Sequence, residues 1–242
     1  MFAPVTPFAG ANPFNDWFEP DTIQRNPLGL RVVAECPFYG YGTFIYVKSN
    51  DAILKGSIVE IDESMLATLY PNTANLGRPF GVAVAPMPSG DFGWVQVEGV
   101  AVYRTNATVA ADAAIGIAAA GILGTNSAGK QALGVRNRKS ATATISLTNT
   151  NTQSGSGKLF RASGYELLGG GAFLGMALSG TGIPGSTVVA GLDPDGKTIY
   201  MGSAIGTFDR TATATGLVTV TGTFTGFGLG VLNNPHMQGA IT

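Results

Sequence analysis

From Leu30 onward apolar and polar residues alternate with a period of two in short runs. That period predicts strands over 30–36, 43–47, 57–61, 80–85 and 93–103. Within 93–103, Val95 and Val97 share a face, but beyond Gly99 the apolar residues are Val100 and Val102, with the opposite parity. A one-residue slip of phase at a glycine predicts a β-bulge there. The stretch 63–70 (Glu-Ser-Met-Leu-Ala-Thr-Leu-Tyr) reads as a short helical turn ended by Pro71. The Ala-rich stretch 107–124 has helix propensity, but Gly116, Gly121 and Gly124 interrupt it. It predicts a turn around Ala111-Asp112-Ala113 followed by a strand.

The texture changes at Arg138. From Ser140 to Thr225 charges become sparse and Thr, Ser and Gly dominate. Strand alternation persists in 141–147 and in 217–224, where Val218, Val220 and Phe224 share a face with Gly222. Asp193-Pro194-Asp195-Gly196 is a turn signal leading into a strand over 197–201. Residues 227–233 return to the Gly-Val-Leu texture of the first half. The expected organisation is an arm (1–27), a β domain (28–138), a second Thr/Gly-rich β domain inserted in it (139–226), and a C-terminal strand and tail (227–242). The expected fold class is all-β: a small β-barrel or sandwich, jelly-roll or β-tulip-like, with a second β module and an extended N-terminal arm.

The arm shows neither period. Its prolines at 4, 7, 13 and 20 keep it extended, and its aromatic residues are too many for a solvated tail. Phe2, Phe8, Phe14, Trp17 and Phe18 are therefore the candidate contact residues toward another subunit or a larger assembly. Because the strands begin only at Leu30, the arm is expected to be dispensable for folding.

Composition adds that this chain of 242 residues is 45% hydrophobic and 12% charged, so it should fold, with a surface polar but sparsely charged. A net charge of -1 argues against a nucleic-acid partner. A surface of this kind suits a homo-oligomer or large complex. A single Cys36 and a single His236 provide neither a disulfide nor a structural zinc set. No signal peptide is visible, and the longest apolar stretch, 115–123, is too short to span a bilayer. A chain made and used in a soluble, intracellular setting, without a membrane partner, is expected.

Motifs with a chemical pattern fail on context. Gly124-Thr-Asn-Ser-Ala-Gly129-Lys130-Gln131 nearly matches a phosphate-binding loop, but Gln131 lacks the metal-binding hydroxyl and a strand follows where a helix is needed. A hairpin loop is the better reading. Gly180-Thr-Gly182-Ile-Pro-Gly185 matches the dinucleotide pattern, yet Pro184 and Ser-Thr-Val-Val make the next element extended. Asp193 and Asp195 lack the further acid that a calcium loop requires. His236 reads as a surface residue of the tail and Cys36 as a small hydrophobe in a strand, while Asp62 and Glu63 are adjacent, so that on a strand they would point to opposite faces and offer no carboxylate pair. Asn106-Ala107-Thr108 reads as a turn. No catalytic, cofactor-binding or metal-binding residue is assigned, and a structural or binding role is expected.

Two segments carry a resemblance. Residues 42–61 (Gly-Thr-Phe-Ile-Tyr-Val-Lys-Ser-Asn-Asp-Ala-Ile-Leu-Lys-Gly-Ser-Ile-Val-Glu-Ile), Gly81-Val-Ala-Val-Ala85, Gly93-Trp-Val-Gln-Val-Glu-Gly99-Val100 and Ala111-Asp112-Ala113 resemble the capsid cement (decoration) proteins of tailed bacteriophages. Residues 175–188 (Gly-Met-Ala-Leu-Ser-Gly-Thr-Gly-Ile-Pro-Gly-Ser-Thr-Val) with 197–204 are similar to a β module recurring in phage head and tail proteins. The resemblance implies a non-enzymatic virion protein on the outer capsid surface, made in the host cytoplasm. It would bridge major capsid protein subunits and associate with itself, as a trimer in preference to a dimer. The alternative is a receptor- or glycan-binding module of a head or tail fibre, with Tyr165 and Tyr200 as aromatic contacts.

Overall fold

The computed structural model describes residues 3–4, 20–36, 40–139, 144–161, 175–192, 198–204, 207–223 and 226–240, and among them every regular element is a β-strand. The chain divides into two compact units. A host unit comprises Phe2–Ala141 and Gly226–Thr242, and an inserted unit comprises Thr142–Thr225. The division at 141/142 and 225/226 lies three residues and one residue from the joints at 138/139 and 226/227 that the change of texture predicts.

The host unit contains β1 (Ala3–Pro4), β2 (Arg31–Cys36), β3 (Gly40–Ser49), β4 (Ile58–Ile61), β5 (Leu66–Leu69), β6 (Gly81–Ala83), β7 (Phe92–Arg104), β8 (Ile115–Ala119), β9 (Ile122–Thr125), β10 (Ala132–Lys139) and, after the insertion, β17 (Phe227–Met237). Nine of these form one sheet in the order β1-β2-β3-β5-β4-β6-β7-β17-β10. Because β3 pairs with β5 and also with β7, the strands β3, β5, β4, β6 and β7 close into a small ring. The ring is filled by slim side chains that suit a narrow barrel: Ile45, Val47, Val59, Ala67, Ala83, Val95 and Val97. On the outer face of β2, β3 and β7, a second cluster joins Val32, Ala34, Phe44, Tyr46 and Trp94.

β7 is long enough to serve two partners. Its first half pairs with β3 and β6, and its second half with β17. The change occurs at a β-bulge: Gln96 faces Phe44 while Glu98 faces Thr43, leaving Val97 extra, and Gly99 follows at a φ of 90°. The bulge is where the phase slip placed it, within two residues. The buried side chains beyond it are Ala101 and Tyr103, however, and Val100 and Val102 are half-buried. They enter a third cluster, with Ile58, Tyr70, Phe80, Ile115, Ile117, Leu123 and Leu232, part of which comes from the β8–β9 hairpin. The turn around Ala111-Asp112 and the strand after it are therefore present.

Three expectations need correction. Residues 63–70 form no helical turn. The Asp62 carboxylate accepts the amides of Ser64 and Leu66, Met65 takes a φ of 61°, and β5 then runs parallel to β3 and antiparallel to β4. Strand partners on both sides outweigh the helix propensity of Met, Leu and Ala. Next, residues 20–27, expected in an extended arm, are joined to the host unit. Asp21 exchanges both backbone hydrogen bonds with Phe92, and its carboxylate accepts from the Tyr46 hydroxyl at 2.8 Å and pairs with Arg25. Finally, His236 is exposed as expected but lies on β17, bridged to Pro79, so residues 234–237 are strand and not tail.

The inserted unit is a closed antiparallel barrel of β11 (Thr144–Thr152), β12 (Lys158–Arg161), β13 (Ala177–Gly180), β14 (Thr187–Leu192), β15 (Thr198–Gly202) and β16 (Gly216–Thr223), in the order β11-β12-β15-β14-β13-β16. Leu147, Leu159, Leu178, Val189, Ile199, Met201 and Val220 are buried in it, together with Thr150, Thr152, Thr187 and Thr198. The Thr150 hydroxyl donates to the Leu147 carbonyl, where the β11–β16 register shifts and Asn149 takes a φ of 53°. Val220 and Gly222 are buried as the alternation predicted; Phe224 lies outside the described residues.

Candidate functional site

Three surfaces of the two units offer themselves for binding. The first is a cleft of about 250 Å³ in the host unit. Ile45, Ile61, Phe80 and Val97 form its apolar floor, and Arg31, Asp62 and Asn234 its polar rim. Ile45 and Val97 also belong to the ring interior, so the cleft opens at the mouth of the small barrel. Three lining residues hold left-handed backbone: Gly29 (φ 79°), Met65 (φ 61°) and Asn234 (φ 43°). Such conformations cost energy in Met and Asn and persist where their surroundings fix them. Here Asp62 holds the turn at Met65, while Asn234 donates to one oxygen of Glu98 and Thr43 to the other, at 2.9 and 2.7 Å. The rim is therefore built in advance of any ligand. Arg31 is exposed and forms no ion pair with another described residue.

The second surface is the edge of β2. β1 pairs with it only at Ala34 and Glu35, and among the described residues no strand lies along Arg31, Val32 and Val33. Proline at position 4 is tolerated because β1 is itself an edge strand. Val33 and Tyr41 are exposed beside it.

The third surface is on the outside of the inserted barrel. Lys158 lies opposite Tyr200 across β12 and β15, with its ammonium 5.0 Å from the ring centroid. Phe208 meets Tyr200 edge to face at 5.6 Å and rests over Gly191, where a Cβ would come within 2.9 Å of its ring. Phe208 is 63% exposed, and Phe160 is exposed on the same strand as Lys158. Beside them the Asp209 carboxylate accepts the Ser203 hydroxyl and amide, which holds its pKa below the usual carboxylate range.

Phe2, Phe8, Phe14, Trp17 and Phe18 lie outside the described residues, as do Tyr165 and the Asp193–Asp195 turn, and nothing is described of the Cys36 side chain. The strands on either side of that turn, β14 and β15, do pair antiparallel. The near phosphate-loop is a turn at 127–130, followed by β10 and not by a helix. Its Lys130 donates to the Asn72 side chain at 2.9 Å. It is not a hairpin, since β9 pairs with β8 and β10 with β17. The glycines at 180–185 form the β13–β14 hairpin. Asp62 and Glu63 are in a turn and not on a strand, Asp62 serving as its cap. Residues 106–107 form a bend, held by Thr105.

Sequence reasoning missed the cleft. Arg31 sits in a run read only as strand, and Met65 in one read as helix; only Asn233-Asn234-Pro235 carried a turn signal. Among the described residues, no group of three or more His, Cys, Asp or Glu side chains is placed to hold a metal. No protein-family model matches the chain, and neither a curated protein nor a solved structure matches it.

Proposed function

We propose that the protein is a capsid cement (decoration) protein: a virion component that binds the outer surface of a phage head, bridges major capsid protein subunits and associates with itself, as a trimer in preference to a dimer. The observation that carries the reading is strand addition at the N-terminus. Ala3 and Pro4 extend the host sheet at β2, and among the described residues no strand lies along the rest of that edge, where Val33 is exposed. Added strands obtain affinity from main-chain hydrogen bonds and can link separate chains. Two closed or nearly closed β scaffolds with a sparsely charged surface suit a part that adds contact area without chemistry. The test is copy number, measured by densitometry of purified particles together with immunogold labelling. Near-stoichiometry with the major capsid protein and labelling over the head are expected. A few copies per particle, or labelling confined to a tail, would overturn the reading.

A second reading has its own observation. The exposed Phe208, edge-on to Tyr200 with Lys158 alongside, is a rigid aromatic surface of the kind that can cover the apolar face of a sugar. On this reading the inserted unit is a receptor- or glycan-binding module of a fibre. Retention of the protein on a glycan array, lost in Phe208→Ser, would favour it.

A further inference from the structure

The cleft at the mouth of the small barrel has an apolar floor, a rim fixed by hydrogen bonds, and one cation, Arg31, without an ionic partner among the described residues. Its volume of about 250 Å³ suits one large side chain better than a whole small molecule, for which pockets run from roughly 300 Å³ upward. The matching chemistry is an aromatic residue with a carboxylate beside it on an extended segment. Among the places where the chain sets an aromatic residue beside a carboxylate, Asp16-Trp17-Phe18-Glu19 alone holds two aromatic residues between two acids. We propose that the cleft is the seat for this segment from a second copy of the chain, with Trp17 on the apolar floor and Asp16 or Glu19 at Arg31.

The donor is a second copy because of where the segment is anchored. Four residues after Trp17, Asp21 is bonded to Phe92 and to the Tyr46 hydroxyl, on the outer face of β3. The cleft lies on the other face, that of Ile45, since neighbouring residues of a strand point to opposite sides. A chain's own segment thus starts from the wrong face, whereas that of a neighbour meets no such constraint. The left-handed Met65 and Asn234 give the rim a fixed shape, which lowers the ordering cost of binding. This inference concerns self-association alone and does not rest on the capsid reading, so its test contains no capsid.

Sedimentation velocity of the full chain over a range of concentrations gives the association constant. Trp17 fluorescence, read in a Trp94→Phe background that leaves it the only tryptophan, reports its burial. Association with a blue shift of Trp17 at high concentration is expected. Trp17→Ser should weaken association about thirtyfold, as loss of a buried aromatic anchor does. Arg31→Glu should weaken it about tenfold, by placing like charges together. An Asp16→Arg, Glu19→Arg chain should also associate poorly alone, but mixing it with the Arg31→Glu chain should restore association and the blue shift. That restoration excludes misfolding as the cause. A monomer at every concentration, a blue shift independent of concentration, association indifferent to Trp17→Ser, or a mixture that stays dissociated would each overturn the proposal.

Discussion

The two units place their aromatic residues on opposite sides of the same kind of wall. In the host unit Phe44, Tyr46, Tyr70, Phe80, Trp94 and Tyr103 are all buried. Among the described residues of the inserted unit no aromatic side chain is buried: Phe160 and Phe208 are exposed and Tyr200 is half-buried. The difference follows from geometry. A six-stranded closed barrel has a narrow interior, which Leu, Val, Ile and Met fill. The host sheet is covered by a hairpin and by residues 20–30, and the wider spaces beneath them take rings. Among the described residues, most aromatic side chains of the host unit, Tyr41 excepted, are therefore in or against the core, and those of the inserted unit lie at the surface.

Tyr103 is the most demanding of the host rings, and its removal should have the largest effect. Its hydroxyl donates to Asn137 at 2.6 Å, and Asn137 in turn donates to the carbonyls of Val109 and Ala110. Burial pushes the phenol pKa well up, so it remains a neutral donor at physiological pH. The ring fits only because Gly228 faces it across β17, where a Cβ would lie 2.7 Å away. Tyr103→Ala should cost about 3–5 kcal/mol, and Tyr103→Phe about 1–3 kcal/mol through the unsatisfied Asn137. Denaturant unfolding followed by Trp94 emission measures the host unit, since the inserted unit has no tryptophan. A loss below about 1 kcal/mol for Tyr103→Ala would remove the contrast between the two cores.

Lys55 gives the host unit a pH dependence. Burial lowers its pKa from 10.5 to about 8. Below about pH 8 the folded chain must hold a desolvated charge that the unfolded chain keeps in water. Between about 8 and 10.5 the unfolded chain binds the extra proton, so stability should rise with pH across that window; because Lys55 is only half-buried, the rise should be about 1 kcal/mol. Lys55→Met should lack the rise. Equal slopes for the two chains, in stability measured from pH 7 to 10.5, would contradict this account.

The strands themselves are more legible in the sequence than what pairs with them or covers them. The alternation in 30–36 and 93–103 identified β2 and β7, and Gly99 announced the bulge, because a period of two and a break in it are local properties. Which face beyond the bulge turns inward was not local. Tyr103 is buried because β8 and β9 arrive from elsewhere in the chain to cover it. β5 escaped for the same reason, as its partners β3 and β4 outweigh its own propensity. The cleft was harder still, since Arg31, Asp62 and Asn234 come together from separate parts of the chain.

The inserted barrel should respond more weakly than the host to loss of a buried polar group. Thr150 is fully buried, and its hydroxyl serves the Leu147 carbonyl at the register shift. Thr150→Val keeps the shape and removes that donor, for an expected loss of about 1–2 kcal/mol. Hydrogen exchange of β11 and β16 amides is the measurement, because it reads this unit by itself. No change there would mean that the carbonyl finds another partner once the hydroxyl is gone.

The smallest effect is expected at the most conspicuous aromatic of the inserted unit. Phe208 is 63% exposed, and its contacts are the edge of Tyr200 and the bare backbone at Gly191. An edge-to-face pair contributes about 0.5–1.5 kcal/mol, and solvent on the other face leaves little further apolar burial to lose. Phe208→Ser should therefore change stability by less than about 1 kcal/mol, against the several kcal/mol of Tyr103→Ala, when β14 and β15 amides are followed by exchange. If Phe208→Ser instead unfolds the barrel, Phe208 is a core residue at the surface, and the opposition between inward and outward aromatics does not hold.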